Sequence, residues 1–364
     1  MTDIEYMNLA LVLAKSVKGQ TSPNPPVGSV VVKNGRIVGM GAHLKAGEAH
    51  AEAQAIKMAG TLTEGATVYV TLEPCSHFGK TPPCADLLIE SKVSRVLIAT
   101  TDPNPLVAGG GVVKLRNAGI EVEIGLLQSE ADDLYEMFFH YITTKTPYVT
   151  LKTAVTLDGK TASRTGSSRW ITGVKAREDV HRYRQSHDAI LVGVNTVIQD
   201  NPSLTTRLPN GGIHPIRIVL DHKLRTPLHS KIVNDNLSET WIVISSSATK
   251  AKQAPFLSKG IKLIQFEEET IQIQDVLSKL GELGITSLLV EGGSEVNGSF
   301  LKENAFNQVI TYIAPKLIGG RLAPGFIGGE GIASMNEATQ LTFKSMEQLG
   351  EDIKIIAIPV VKKR

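Results

Sequence analysis

This sequence predicts an α/β protein built as two domains, and three observations carry that prediction. β-rich runs alternate with amphipathic stretches along most of the chain, the pattern of a sheet with helices on its faces. At 364 residues the chain is longer than a single typical domain. The alternation pauses at the polar, proline-ended run Thr143-Thr144-Lys145-Thr146-Pro147 and then restarts. The expected division is therefore 1–145 and 146–364.

In the first domain, Ile4, Met7, Leu11 and Ala14 recur at helical spacing within a helix expected over 4–18. Gly19 ends it, and the prolines of Thr21-Ser22-Pro23-Asn24-Pro25-Pro26 forbid its continuation. Residues 27–41 read as a hairpin about Asn34-Gly35, a pair suited to a type I′ turn. A helix over 48–59 would hold both His50 and Glu52 in its first turn, where side chains tilt back toward the N-terminus. A buried strand at 66–71 leads into Glu73-Pro74-Cys75, and Cys84 opens a helix to Ser91. Strand 95–100, helix 112–118, strand 120–124 and helix 130–141 complete this half. Sheets of this kind bind ligands at the carboxyl ends of strands, where Cys75 and Asp102-Pro103-Asn104 fall.

The second domain begins with a strand at 148–156. Helix 174–185, strands 189–192, 216–220 and 240–244, helix 273–283 and strand 287–290 follow. Glu291-Gly292-Gly293-Ser294 is a glycine turn into a helix reaching about Glu303. Strands at 309–313 and 353–358 close the domain, and the glycine-rich stretch 317–334 between them reads as a long mobile loop.

Composition excludes several classes. Hydrophobic residues make up 42% of the chain and the formal charge is +2. Basic stripes of nucleic-acid-binding proteins are thus not expected, nor is a membrane partner, for want of a long apolar run. The N-terminus lacks the order of a signal peptide, so the cytoplasm is the expected location.

Only two cysteines are present, Cys75 and Cys84. A small disulfide loop is one reading, disfavoured in a reducing compartment. The other is a zinc site of His50, Cys75 and Cys84. Three protein ligands leave a tetrahedral position for water, the arrangement of a catalytic site; a structural zinc usually has four, and a third cysteine is lacking. His50-Ala51-Glu52 with Pro74-Cys75 has the H-x-E and P-C elements of zinc deaminases, in which the glutamate moves protons. Glu52 is that candidate here. Eight residues rather than two separate the cysteines.

The long form, Pro74-Cys75-Ser76-His77-Phe78-Gly79-Lys80-Thr81-Pro82-Pro83-Cys84, together with Thr21 to Gly28, resembles the bacterial riboflavin-biosynthesis deaminases. The second half resembles their partner reductases through Leu151-Lys152-Thr153-Ala154, Leu157-Asp158-Gly159-Lys160, Ser168-Arg169-Trp170-Ile171-Thr172, Asp200-Asn201-Pro202-Ser203-Leu204-Thr205-Thr206-Arg207 and Glu291-Gly292-Gly293. The resemblance spans nearly the whole chain. It implies a three-layer cytidine-deaminase-like domain followed by a dihydrofolate-reductase-like domain. It also implies zinc-dependent deamination of a diaminopyrimidinone ribotide, then NADPH-dependent reduction of its ribosyl group to ribityl.

By the same resemblance Asn24, His43, His77, Lys80 and Asn104 surround the first substrate. Ala154, Trp170, Thr196, Asp200 and the turn Gly293, Ser294, Glu295, Val296, Asn297, Gly298, Ser299 take NADPH. Ser168, Arg184, Leu204, Arg207 and Glu291 hold the second substrate. Two arginines suit a phosphomonoester. Lys152, a charge inside a β-rich run, is the candidate for polarising the ribose carbonyl, against the reading of an outward-facing strand residue. A homo-oligomer, dimer or tetramer, is expected. Two rival readings remain: a nucleic-acid deaminase with an accessory domain, and a deaminase whose C-terminal half only senses nucleotide or drives oligomerisation.

Overall fold

A computed structural model describes residues 1–78, 82–104 and 109–360. It divides into two compact units, Met1–Lys145 and Thr146–Arg364, each with its own sheet.

The first unit opens with helix α1 (Asp3–Ser16), whose Thr2 and Glu5 form a capping box. Its buried face is Tyr6, Met7, Ala10, Leu11 and Ala14; Ile4, expected in that stripe, is exposed. The hairpin β1 (Gly28–Lys33) and β2 (Arg36–Ala42) turns at Asn34-Gly35, both with positive φ, as a type I′ turn requires. Helix α2 is Ala51–Ala59, and β3 is Thr67–Leu72. Then come α3 (Cys84–Glu90), β4 (Arg95–Thr100), α4 (Gly110–Asn117), β5 (Glu121–Ile124) and α5 (Gln128–Thr144).

The sheet order is β2-β1-β3-β4-β5, antiparallel at β2-β1-β3 and parallel from β3 to β5. Strand residues alternate between two cores. Val31, Val68, Val70, Val96 and Ile98 meet α2, α3 and α4, while Val30, Val32, Tyr69, Leu97 and Ala99 meet α1 and α5. The period-two alternation of a pleated strand thereby produces three layers. Gly39 and Gly41 let α2 lie against β2: an added Cβ would stand 2.1 Å from the Ala55 carbonyl oxygen and 2.2 Å from that of Ala51.

The second unit runs β6 (Tyr148–Thr156), α6 (Val174–Ser186), β7 (Ala189–Gly193), α7 (Val194–Asp200), β8 (Ile216–Leu220) and α8 (Lys231–Asn234). It continues with β9 (Thr240–Ile244), α9 (Lys250–Leu257), β10 (Lys262–Gln265), α10 (Ile273–Glu282) and β11 (Ser287–Val290). Helix α11 (Ser294–Lys302), β12 (Gln308–Ala314), β13 (Leu341–Leu349) and β14 (Asp352–Pro359) end it. The order is β10-β9-β8-β7-β11-β6-β12-β14-β13. Strands from β10 to β12 are parallel; β14 and β13 add antiparallel strands.

Strands β10 and β13 and helices α7, α8 and α9 were not expected. β13 is exposed along almost its whole length, so it lacks the apolar alternation that marks a half-buried strand. Helix α9 contains Pro255, ordinarily a breaker. The stretch 317–334 is a long connection, but not a loose one. Asp158 accepts from the Ile318 and Gly319 N–H groups, Thr161 N–H donates to Pro324 O, and Gly328 N–H donates to Ser294 O.

Candidate active sites

Three elements converge on the first site. His50 does not occupy the first turn of α2 as expected: it is the N-cap, in extended conformation (φ −68°, ψ 166°), one residue before the helix. That backbone turns its imidazole toward the end of β3, while Glu52 follows in the first turn and is buried. Cys75 follows β3 by three residues, and Cys84 opens α3. His50 Nδ1 lies 3.2 Å from Cys84 Sγ and 3.6 Å from Cys75 Sγ. All three donor atoms fall within 4.8 Å of one another.

Tetrahedral zinc with bonds of about 2.0–2.3 Å sets its ligand atoms about 3.5–3.8 Å apart. One imidazole and two thiols converging at this spacing fit zinc. Both cysteines are free, so the disulfide reading is set aside. Hydrogen bonding from Cys84, and then His50, holds the Cys75 thiol below its ordinary value. Cys84 is pushed the other way by Cys75 and by burial. Burial raises the Glu52 carboxyl to about 7, partly opposed by the neighbouring His50.

A cavity of about 560 Å³ opens in front of these groups, lined also by Asn24, His43, His77 and Asn104. Each of these was expected around the substrate; Lys80 lies outside the described residues. Asn24 Nδ2 lies 3.1 Å from His43 Nε2, and His43 Nδ1 lies 3.3 Å from Ala49 O. A ring that donates to Ala49 O therefore accepts from Asn24, leaving the Asn24 carbonyl oxygen for a ligand. Burial lowers the His43 pKa.

Glu73 was missed. Its buried carboxylate accepts from the N–H groups of Asp102, Gly109, Gly111 and Val112 at 3.4, 3.1, 3.0 and 3.3 Å. It thus ties the Pro74-Cys75 loop to the end of β4 and the start of α4. Its position two residues before Cys75, at a strand end, was the available signal. Phe138, Tyr141 and Ile142 of α5 also line the cavity and had no motif to announce them.

In the second unit, a cavity of about 850 Å³ crosses the carboxyl ends of the parallel strands. Ser168 and Glu291, expected to hold the substrate, line it together with Thr196, Asp200, Gly293, Ser294, Glu295, Val296 and Ser299, expected to take NADPH. Gly292 and Gly193 keep its floor open, since an added Cβ at either would strike Val296 within 2.7 Å. The backbone lies bare there beside the start of α11, which suits a pyrophosphate, so these residues fit a dinucleotide.

Other expected residues fall elsewhere. Asn297 is buried and donates to Phe326 O, and an added Cβ on Gly298 would meet Gly328 O at 2.4 Å; both serve the 317–334 connection. Ala154 packs beside Tyr312, and exposed Trp170 carries the Arg177 guanidinium over its ring at 4.4 Å. Leu204 is a core residue, so only its backbone is available to a ligand.

Lys152 is part-buried, with Nζ 3.5 Å from Glu291 Oε2. Its strand neighbours Leu151 and Val149 face the opposite core. Arg184 grips Glu291 through two bonds of 2.7 and 2.9 Å and donates to Thr205 O. Burial alone would raise the Glu291 carboxyl; Arg184 and Lys152 outweigh it and hold the group well below the usual carboxylate range. His181, also missed, accepts from the Arg207 N–H. Burial, then Arg184 and Arg207, lowers its pKa to about 4.

Residues 147–355 match the RibD C-terminal domain, and residues 1–100 match the cytidine and deoxycytidylate deaminase zinc-binding region. The chain belongs to the RibD family. It is 53% identical over 354 residues to riboflavin biosynthesis protein RibD of Bacillus amyloliquefaciens, covering 97% of this chain and 95% of that one. The Acinetobacter baumannii RibD structure (form 1) superposes with a TM-score of 0.89 at 38% identity, covering 98% of this chain and 99% of that chain. A diaminohydroxyphosphoribosylaminopyrimidine deaminase/5-amino-6-(5-phosphoribosylamino)uracil reductase from Thermotoga maritima gives 0.87 at 38% identity, with 98% of both chains covered.

The architecture is accordingly a cytidine-deaminase-like domain followed by a dihydrofolate-reductase-like domain. The chain is a bifunctional enzyme of riboflavin biosynthesis, a deaminase and a reductase with zinc and NADPH as cofactors. Among the described residues no helix is long and apolar enough to cross a membrane.

Proposed function

We propose that residues 1–145 deaminate 2,5-diamino-6-ribosylamino-4(3H)-pyrimidinone 5′-phosphate and that residues 146–364 then reduce its ribosyl group to ribityl. The observation that carries the first half is the meeting of His50, Cys75 and Cys84 donor atoms beside buried Glu52 on one cavity wall. Zinc held by those three side chains would supply a water acidified to a pKa of about 7. As the water oxygen bonds to the amine-bearing ring carbon, Glu52 would accept one of its protons and pass it to the ring nitrogen. It would then carry the remaining hydroxyl proton to the amino nitrogen, which leaves as ammonia as the C–N bond breaks and the carbonyl forms. Its carboxyl, raised to about 7 by burial, is matched to both taking and giving a proton near neutrality. Asn24 offers its carbonyl oxygen to the base edge, and His77 and Asn104 line the same cavity. Lys80 joins them in this reading as a cation for the 5′-phosphate.

NADPH bound in the second site would supply a hydride for C1′ of the ribosyl group. Lys152 directs its ammonium at the ribose ring oxygen and would protonate it as the C1′–O4′ bond breaks, so that the charge developing there meets a cation inside a low-dielectric pocket. Glu291 and Arg184 hold that ammonium in place through the ion pairs described above. Arg184 and Arg207, with Ser168 and the Leu204 backbone, take the substrate. Ala154, Trp170, Thr196, Asp200 and the 293–299 turn complete the cofactor site in this reading. Two free cysteines as zinc ligands suit a reducing, cytoplasmic setting. A homo-oligomer is part of the reading, supported by exposed Phe343 and Met346 on edge strand β13.

A two-stage assay tests it. Ammonia release is followed without NADPH, and nicotinamide absorbance after NADPH is added. Ammonia followed by stoichiometric oxidation is expected; ammonia without oxidation would leave the second unit non-catalytic.

A further inference from the structure

The reductase chemistry above uses Arg184 and Arg207 and leaves a third basic side chain beside them without a task. His181 lies three residues before Arg184 on α6, so the two share one face of that helix. Both meet the 204–207 segment. Arg184 Nη1 donates to Thr205 O at 3.1 Å, and Arg207 N–H donates to His181 Nδ1 at 3.3 Å. Arg207 Nη1 in turn donates to Thr205 Oγ1 at 3.1 Å. Three basic groups therefore gather around Thr205.

Their charge is not balanced from within. Glu291 is shared by Lys152 and Arg184, and among the described residues Arg207 has no ion-pair partner. The Arg184 bonds to Glu291 and Thr205 use three of its five N–H donors, which leaves two for a ligand. A doubly charged anion suits such a surplus, and a phosphomonoester carries about −1.5 to −2 near neutrality.

The imidazole is set up to join them. Because Nδ1 accepts from Arg207, the neutral ring carries its proton on Nε2 and offers it outward. Burial, then Arg184 and Arg207, opposes a charge on this ring, while Glu291 and the Thr205 carbonyl favour one. Those groups face it from α6, from the 204–207 segment and from the end of β11. A phosphate placed among them shifts the balance toward the charged ring, which takes its second proton from solvent.

We propose that His181 is a ligand of the 5′-phosphate of the reductase substrate, donating from Nε2 alongside Arg184 and Arg207, and that it sets how strongly the ribotide is preferred over its phosphate-free counterpart. The proposal rests on the reading that those arginines hold the substrate. The test is steady-state kinetics of the full-length protein, followed by nicotinamide absorbance, with the deaminated ribotide or its phosphate-free counterpart supplied directly. His181→Ala is expected to raise KM for the ribotide about tenfold, with kcat and the KM of the phosphate-free compound unchanged within about twofold. His181→Gln can still accept from Arg207 and donate to the phosphate, so it should recover most of the KM at a pH of about 8. Glutamine cannot take the charge. Its KM relative to the unsubstituted protein should therefore climb as pH falls from about 8 to 6, by at most about tenfold per unit for one proton. The phosphate's own titration cancels in that ratio. An unchanged KM in His181→Ala, or equal losses with both compounds, overturns the His181 contact; a flat ratio across pH overturns the proton uptake. Arg207→Ala separates this proposal from the reading beneath it. A phosphate-specific rise in its KM with none in His181→Ala leaves the arginine site standing without His181. No rise in either variant removes the phosphate from this end of the pocket, and both fall together.

Discussion

Replacing Glu73 by Gln should destabilise the deaminase unit far more than a single uncharged-for-charged exchange normally does. The carboxylate is buried and accepts from four backbone N–H groups, two of them at 3.0 and 3.1 Å and the others long. An amide keeps one acceptor oxygen and turns an NH₂ group toward donors. Hydrogen bonds to a charged group contribute about 1.5–3 kcal/mol each. The two short bonds fall one on each oxygen, so the amide loses one of them outright and the exchange costs about 1.5–3 kcal/mol. For a unit of this size that corresponds to a Tm lowered by roughly 3–12 °C. Cys75 sits two residues away, so zinc affinity should fall with stability although no ligand has changed. Urea unfolding of the full chain, followed by near-ultraviolet circular dichroism, reads the first effect; competition with a chromogenic chelator reads the second. The exposed exchange Glu121→Gln serves as control and should stay within about 0.5 kcal/mol. A loss below about 1 kcal/mol at Glu73, with zinc binding unaltered, would refute the claim that this carboxylate holds the loop.

Glu52→Gln should lower ammonia release by about 10²–10⁴-fold while each chain still binds one zinc by atomic absorption; near-full activity would remove Glu52 from the mechanism. Arg184→Ala leaves Glu291 buried with Lys152 alone, so the reductase unit should lose about 3–5 kcal/mol and ribityl formation, with ammonia release retained. A depressed histidine pKa adds stability above the unfolded value and loses it as pH falls through the folded one. His181, held near 4, should therefore make the reductase unit less stable as pH drops from about 6.5 to 4. After screening for its partial exposure the effect is about 1 kcal/mol, and His181→Gln should flatten the profile in urea titrations at several pH values.

Much of the fold was legible because local patterns carried it. Strands 95–100, 148–156, 216–220, 240–244 and 287–290 match the observed bounds, since each is a compact apolar run closed by polar or turn residues. The elements that escaped lack such patterns. β13 is solvated on both faces, and it becomes a strand only because β14 pairs with it across a tight turn. At the first site the residue types and spacing already named His50, Cys75, Cys84 and Glu52, because zinc and proton transfer restrict which side chains can serve. Glu73 was not legible as a clamp, because its partners are backbone N–H groups 29 to 39 residues downstream.

The sequence alone determined the α/β organisation in two units and singled out His50, Cys75 and Cys84 as candidate ligands with Glu52 as the candidate proton carrier, all of which follow from residue chemistry and short-range periodicity. Tertiary structure decided what depends on approach between distant segments. It made His50 a cap rather than a helical residue, turned Asn297 and Gly298 toward the 326–328 segment, and paired Lys152 and Arg184 on one buried glutamate. Such placements follow from packing density and from the need to neutralise or hydrogen-bond every buried polar group, and neither constraint is written in the spacing of residues along the chain.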